Sequence, residues 1–340
     1  MRLAILTSGG DCPGLNAVIR AVVRTATDHY RYECVGIKNG WKGAATGEII
    51  PLPTSSVSGI LYRGGTILGT SRFNPLKDGE TTARILENLT LHHIGAVICV
   101  GGDGTLRASH EMVRMGVNVV GVPKTIDNDI AATDVTFGFH TAVQIVTDAI
   151  DRLHTTAESH NRIMILETMG RNTGWIALTA GLAGGADLIL IPERPFSYDK
   201  ICTMLAQRHK RKSFSIVVVA EGAFPEGGQA VNIGALDAFG RPRLGGIGHE
   251  LGQEIEKRLG IECRVTDLGY VQRGGTPAAF DRVLATRFGV AAVEAVANGQ
   301  FDHFVALRGE QLITIPIAEG IGACKQVDDK LFETAELFFG

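Results

Sequence analysis

Val117-Asn118-Val119-Val120-Gly121-Val122-Pro123-Lys124-Thr125-Ile126-Asp127-Asn128-Asp129 sets a short apolar run directly before a lysine, a threonine and two carboxylates. The run reads as a buried strand. In a parallel sheet the residues that follow stand at the strand's carboxyl end, where open α/β folds bind ligands, so Asp127 and Asp129 face substrate rather than core. The other reading is an Asx-rich turn in which Asp127 and Asn128 cap their own backbone, and the loop taken alone favours it. Phosphate chemistry a few residues upstream shifts the balance toward catalysis.

The rest of the chain repeats the same alternation. Apolar runs at residues 3–7, 96–100, 117–122, 162–167, 187–191, 215–220, 263–268 and 304–307 are spaced by longer segments of helical period, the pattern of a wound, mostly parallel α/β fold. Phe139, Ala142, Val143, Val146, Ala149, Ile150 and Leu153 follow the stripe of a core-facing helix. A second helix, rich in small residues, is expected near 172–182. Residues 192–195 and the Gly/Pro-rich 224–248 region are the longest irregular segments, which in so regular a chain suggests function or an interface.

With 340 residues and 45% hydrophobic content, the chain is long enough for two domains with full cores. A net charge of −3 lacks the basic footprint of a nucleic-acid binder, so positive charge must be local. The longest apolar runs, such as 94–100 and 216–220, fall far short of a bilayer span, and the start of the chain turns glycine-rich before a signal core develops. A cytoplasmic protein without a membrane partner is expected. Six cysteines without C-x-x-C pairing argue against zinc and a disulfide framework, and read as small buried hydrophobes.

Two Gly-Gly-Asp loops supply the phosphate chemistry. Leu6-Thr7-Ser8-Gly9-Gly10-Asp11-Cys12-Pro13-Gly14 joins the first strand to a helix, and Val100-Gly101-Gly102-Asp103-Gly104-Thr105 does the same later. Glycine lets backbone N–H groups approach phosphate oxygens, and a helix N-terminus adds donors and dipole. Neither loop has the spacing of a dinucleotide fold or a P-loop. One such turn is weak evidence, because tight strand-to-helix turns need glycine anyway. Two, each with an aspartate able to hold Mg²⁺ on a polyphosphate, favour function.

The G-G-D-G-T element is also similar to that of NAD kinases and diacylglycerol kinases. Other motifs discriminate: Gly64-Gly65-Thr66-Ile67-Leu68-Gly69-Thr70-Ser71-Arg72-Phe73, Pro123 to Asp129, Glu167-Thr168-Met169-Gly170-Arg171, Ala220-Glu221-Gly222 and Leu268-Gly269-Tyr270-Val271-Gln272-Arg273-Gly274-Gly275 occur in this order. Together they resemble the 6-phosphofructokinases, over roughly residues 2–310. A lipid or NAD kinase needs a lipid groove or a second nucleotide site where this chain has arginines. A non-catalytic sensor on the same fold would lack the carboxylates.

The resemblance implies transfer of the ATP γ-phosphoryl group to the C1 hydroxyl of fructose 6-phosphate, giving fructose 1,6-bisphosphate and ADP in glycolysis. On this basis Asp127 takes the hydroxyl proton, with Asp129 close by and Thr125 bonding the sugar or phosphoryl group. Two adjacent carboxylates raise one pKa while Lys124 opposes the shift, a balance that sequence leaves unsigned. Asp103 matches the Mg²⁺ residue. Gly10, Gly104 and Thr105 line the donor phosphates, and Arg72 and Phe73 complete that side. Arg171, with Met169 and Gly170, meets the sugar phosphate and neutralises transition-state charge. Arg162, Arg264 and Arg273 fork the 6-phosphate, and Glu221 accepts from sugar hydroxyls. A solvated strand-edge charge for Arg162 and a helix cap for Glu221 are the alternatives.

Three positions depart from bacterial ATP enzymes. Tyr270 stands where histidine is usual. Lys124 replaces glycine and is the residue of pyrophosphate-dependent relatives, whereas Gly104 is the ATP type. An aspartate at 104 would cost ~4 kcal/mol at about 4 Å and an effective dielectric near 20, roughly a thousandfold. ATP is therefore the expected donor and pyrophosphate the alternative, with Gly104 and Lys124 setting the choice in a pattern that looks like the actinobacterial mixed-substrate group.

The resemblance further implies two wound α/β domains with the active site in the cleft between them: 1–138 plus about 250–302 for nucleotide, 139–249 plus about 303–327 for fructose 6-phosphate, and a helical segment at 328–340 with Leu331, Ala335 and Phe338 on one face. It implies a homotetramer with sites shared between subunits. In the effector pocket Arg20, Arg24 and Arg211 keep the basic pattern while Thr54, His154 and Ser213 lose it, which puts the usual allosteric control in doubt. For Arg20 and Arg24 a solvated helix face is an equal reading.

Overall fold

The computed structural model describes residues 1–236 and 242–340, so the irregular 224–248 region lies partly outside the described residues. The strands in chain order are β1 (Arg2–Thr7), β2 (Glu33–Ile37), β3 (Ile49–Pro51), β4 (Ile94–Gly101), β5 (Val119–Pro123), β6 (Ile163–Thr168), β7 (Leu188–Leu190), β8 (Ser215–Ala220), β9 (Asn232–Leu236), β10 (Pro242–Leu244), β11 (Cys263–Asp267), β12 (His303–Arg308) and β13 (Gln311–Pro316). All eight expected runs are strands, within the usual drift at their ends.

The chain divides into two compact units, Met1–His140 with Arg273–Cys324, and Thr141–Gln272 with Lys325–Gly340. The first holds a seven-stranded sheet in the order β13-β12-β5-β4-β1-β2-β3. Its five inner strands run parallel, and β3 and β13 close the edges antiparallel. The chain leaves β1 first toward β2 and then returns to β4 on the other side. This reversal opens a crevice at the carboxyl ends of β1 and β4. Helices Leu15–Asp28 and Asp103–Arg114 start there. One core packs Leu6, Ile37, Trp41, Ile85, Val97 and Met112, and another gathers Leu106, Ile130, Phe304 and Ile317.

The second unit holds a parallel sheet, β11-β6-β8-β7, and a β9-β10 ribbon. Leu205, Val217, Val219, Leu251 and Ile255 form its core. The expected domain boundaries need correction here. Segment 250–272 belongs to this unit because β11 pairs with β6 from Cys263↔Ile163 onward. Segment 303–324 belongs to the first unit because β12 pairs with β5 through His303↔Val120. Sheet edges recruit strands by pairing, which proximity in sequence does not reveal.

The two expected helices form as Phe139–His160 and Trp175–Ala183. The C-terminal helix, Asp329–Glu336, turns Phe332 and Ala335 inward and leaves Phe338 66% exposed, so of the expected Leu331-Ala335-Phe338 face Ala335 holds, Leu331 is half-buried beside Phe332, and Phe338 falls outside it. Five cysteines are buried as expected, but Cys324 is exposed. Among the described residues no helix is long and apolar enough to cross a membrane.

Candidate active site

In the first unit, three loops converge because β1, β4 and β5 are neighbours. Ser8 N–H donates to Val100 O (2.9 Å) and Lys124 N–H to Gly101 O (2.9 Å), carrying the ladder one step into each loop. Both Gly-Gly-Asp helices begin without a side-chain cap, at Gly14 (φ 113°) and Gly102; in the second, Thr105 N–H turns back to Gly102 O (2.9 Å), and the N–H groups before it are placed to meet an anion. At Gly101 a Cβ would sit 2.3 Å from the Thr105 side chain, which makes glycine obligatory.

The loop from Gly64 to Phe73 is laced to the β1 loop. Thr70 Oγ1 donates to Gly9 O (2.7 Å), Thr7 Oγ1 to Gly69 O (2.8 Å), and Gly9 N–H to Ser71 O (3.0 Å). Buried Asn16 accepts from Ile67 N–H (2.9 Å) and donates to Arg63 O and Gly64 O. Arg72 follows this brace and is exposed, while Phe73 packs against the sheet core.

Lys124 is 3% exposed, and its Nζ donates to the Gly10 carbonyl. Burial and this bond hold its side chain in place at the phosphate turn. Burial lowers its pKa first, the Cys12 thiol opposes that, and the Arg273 guanidinium adds to the lowering. Arg273, expected on the sugar phosphate, lies in this unit. Its Nη1 donates to Asp11 O (3.2 Å) and stands 2.6 Å from where a Cβ on Gly10 would be, so a larger residue at 10 would displace the guanidinium. Thr105 Oγ1 and Lys124 Nζ both approach Gly9, 3.7 and 3.6 Å from its built Cβ. At Gly104 an added Cβ meets nothing within 4 Å.

Asp103 Oδ2 accepts from Arg107 Nε (2.8 Å), and Oδ1 from Gly322 N–H (3.3 Å). No cluster of three metal-ligating side chains occurs among the described residues. The site nonetheless fits Mg²⁺ of the kind that keeps its waters and binds one or two carboxylates plus substrate phosphates. The charges of Asp127 and Asp103 both raise the pKa of Asp129, an accumulation of negative charge that a divalent cation relieves.

The β5 loop is itself a built device. Asn128 adopts φ 52°, and its Oδ1 accepts from Thr136 N–H (3.1 Å) eight residues on, so its side chain braces the loop across its width rather than capping its own backbone in an Asx turn. Thr136 Oγ1 donates to Thr125 O (2.7 Å). Thr125 Oγ1 accepts from Asp127 N–H (3.1 Å) and also bonds the Asp129 carboxylate. Burial and then the Asp127 charge push Asp129 up to about 6. The structure thus signs the balance that sequence leaves open: Asp129 is the raised partner.

In the second unit, Met169, Gly170 and Arg171 follow β6 and Glu221 follows β8, at the carboxyl end of the sheet. Gly170 takes φ 141°; Gly222 N–H donates to its carbonyl (3.1 Å), and a Cβ on Gly222 would lie 2.1 Å from Arg171 O. Fully buried Gln272 accepts from Met169 N–H (3.2 Å) and donates to Gly269 O (3.1 Å), tying this loop to the turn that carries Tyr270, which is 72% exposed. Glu167 accepts from Gly246 and Gly248 N–H, both at 2.8 Å, and its burial raises its pKa.

Arg162 and Arg264 sit at the opposite, amino end of the sheet, where register pairs Arg264 with Met164. Glu262 joins them: its Oε2 accepts from Arg162 Nε (2.5 Å) and its Oε1 pairs with Arg264, and Arg162 first among these holds its pKa below the usual range. Among the effector positions, Arg24 pairs with Asp28 on an exposed helix face (2.6 Å). His154 Nε2 bonds Gly184 O (2.8 Å) and Ser213 donates to Asn161, so neither is an unused side chain.

Sequence reasoning missed Gln272, Glu262 and Arg107 as supports. Gln272 stood inside a recognised motif, and Arg107 lies one turn past Asp103, so both carried a local signal. Glu262 had none.

A family profile described as phosphofructokinase matches residues 2–296. A pyrophosphate–fructose 6-phosphate 1-phosphotransferase of Streptomyces coelicolor is 53% identical over 342 residues, covering 100% of both chains. An ATP-dependent 6-phosphofructokinase of Corynebacterium efficiens is 50% identical over 343 residues, covering 100% of this chain and 99% of its own. The crystal structure of Pichia pastoris phosphofructokinase in the T-state superposes with a TM-score of 0.83 at 32% identity, over 94% of this chain and 35% of that longer one.

Proposed function

The chain belongs to the phosphofructokinase family, and on that premise we propose that it is an ATP-dependent 6-phosphofructokinase, converting fructose 6-phosphate to fructose 1,6-bisphosphate with release of ADP. The observation that carries the reading is the Thr125-Asp127-Asp129 loop beside two uncapped helix N-termini and a buried lysine.

The donor's phosphates rest on the N–H groups at Gly102–Gly104 and on the Gly9-Gly10 turn, with Thr105 and Lys124 supplying a hydroxyl and a cation. Mg²⁺ would be held by Asp103 and Asp129 together with the donor's phosphates, and when bound would supply neutralisation of the negative charge that develops in transfer. Asp127 takes the C1 hydroxyl proton as the bond to phosphorus forms, and Thr125 keeps the Asp127 backbone in place. Arg171 neutralises the transferring group, Glu221 accepts from sugar hydroxyls, and Tyr270 donates to the sugar. Gly104 supports ATP, since a Cβ there would meet nothing within 4 Å and the position itself adds no carboxylate to repel an α-phosphate.

Pyrophosphate is the second reading, favoured by Lys124, a buried cation at the phosphate turn, and by the name of the Streptomyces coelicolor relative.

The enzyme works as a homo-oligomer in which Arg162 and Arg264 reach the 6-phosphate of a neighbouring subunit. Their place at the amino end of β6 and β11, away from Arg171, supports this. The activity is tested by incubating the protein with Mg-ATP and fructose 6-phosphate and identifying the product. Fructose 1,6-bisphosphate is expected, and kcat should fall by about 10² to 10⁴ in Asp127→Asn. Product formation undiminished in that variant would remove Asp127 as the base.

A further inference from the structure

We propose that Glu193 is a positioning residue for Arg171 and that the C-terminal segment 325–340 acts through it to set affinity for the sugar phosphate, an inference that rests on reading Arg171 as a substrate contact. Arg171 lies in the tight loop between β6 and helix Trp175–Ala183. Its upstream side is held by Gln272 and Gly222. Its downstream side ends at Gly174, whose N–H donates to both carboxylate oxygens of Glu193, at 3.1 and 2.9 Å. The approach is close: a Cβ on Gly174 would stand 2.2 Å from Ile191 and 3.2 Å from Glu193 Oε2.

The same Glu193 Oε1 accepts from Val327 N–H at 3.2 Å. Around this shared carboxylate the C-terminal segment grips the same two stretches again. Trp175 Nε1 donates to Lys325 O (2.9 Å) while Lys325 Nζ lies 5.0 Å over the indole. Arg194 pairs with Asp329 (2.8 Å) and stacks 5.0 Å over Phe332, itself buried and edge-on to Phe339. Burial raises the Glu193 pKa, and the N–H bonds from Gly174 and Val327 oppose that rise. A carboxylate taken out of water and satisfied by two separate segments couples their order: loosening one leaves its charge under-bonded and weakens its hold on the other. The C-terminal segment is therefore a strap on the Arg171 loop.

Two variants test this in the full-length protein. Glu193→Gln keeps the shape and removes the charge. Val327→Pro removes the donor on the strap's side, while also fixing φ there and replacing a buried side chain. A third, Glu80→Ala, breaks an exposed helix-surface pair with Arg84 that is no part of the strap and should change neither reading. In Val327→Pro the Gly174 amide should exchange with solvent about tenfold faster, and KM for fructose 6-phosphate should rise by about the same factor with the donor's KM unchanged, the scale of one charge-assisted hydrogen bond. Glu193→Gln should do likewise. Unchanged Gly174 exchange in a folded variant, or equal rises in both KM values, would overturn the proposal; if Val327→Pro does not fold, Glu193→Gln decides by the same two readings. Wild-type protein inert toward fructose 6-phosphate would refute the functional reading instead, and Gly174 exchange would still decide the coupling.

Discussion

Arg162 immediately precedes β6 and Arg171 follows it, so the strand's six residues hold them apart by about 20 Å of extended chain. A single sugar phosphate does not bridge that distance. Either Arg162 has no part in the reaction or it serves a different site from Arg171, and Glu262, bonded to both Arg162 and Arg264, keeps those two arginines together.

Mixing two inactive variants separates these possibilities. Asp127→Asn and Arg162→Ala, allowed to exchange subunits, should regain activity, because some sites then combine an intact Asp127 with an intact Arg162. No recovery despite demonstrated exchange would place the whole site within one chain.

Gly104→Asp is sterically free, since a Cβ there meets nothing within 4 Å. The variant should fold normally and lose about a thousandfold in kcat/KM for ATP, from ~4 kcal/mol of repulsion at the α-phosphate at an effective dielectric near 20. Retained ATP kinetics would show that the donor's α-phosphate does not pass this residue.

Asp129 predicts a pH dependence of stability. Its pKa is about 6 in the fold against an ordinary 3.8, so between those values the folded state binds more protons than the unfolded one. Its ionisation therefore opposes folding as pH rises through this window, by roughly 3 kcal/mol at most for a shift of about two units. Asp129→Asn should raise Tm at pH 7.5, with the gain shrinking toward pH 4. Thermal melts across that range check it, and a variant less stable at pH 7.5 would mean that the carboxylate is held by favourable contacts.

The phosphate-side site was legible in the sequence because each part of it is local. An apolar run, two glycines and an acid fix a strand, a turn and a helix start within ten residues, and β1, β4 and β5 then bring the loops together. Most of the inner strands were equally plain, being buried on both faces. Inner β2, five residues long, and the edges were not: β3 has three residues and β13 is mostly half-exposed. The domain boundaries failed because β12 and β11 join sheets begun far earlier in the chain. The supporting carboxylates were hidden for the same reason: Glu262 meets Arg162 across 100 positions and Glu193 meets Val327 across 134. No local spacing encodes such pairs.

The choice of donor is the central claim, and kcat/KM for Mg-ATP and for Mg-pyrophosphate, measured side by side with saturating fructose 6-phosphate, tests it most directly. Gly104 and the open space beside it predict faster turnover with ATP. Comparable or faster turnover with pyrophosphate would contradict the account and assign the decisive role to buried Lys124.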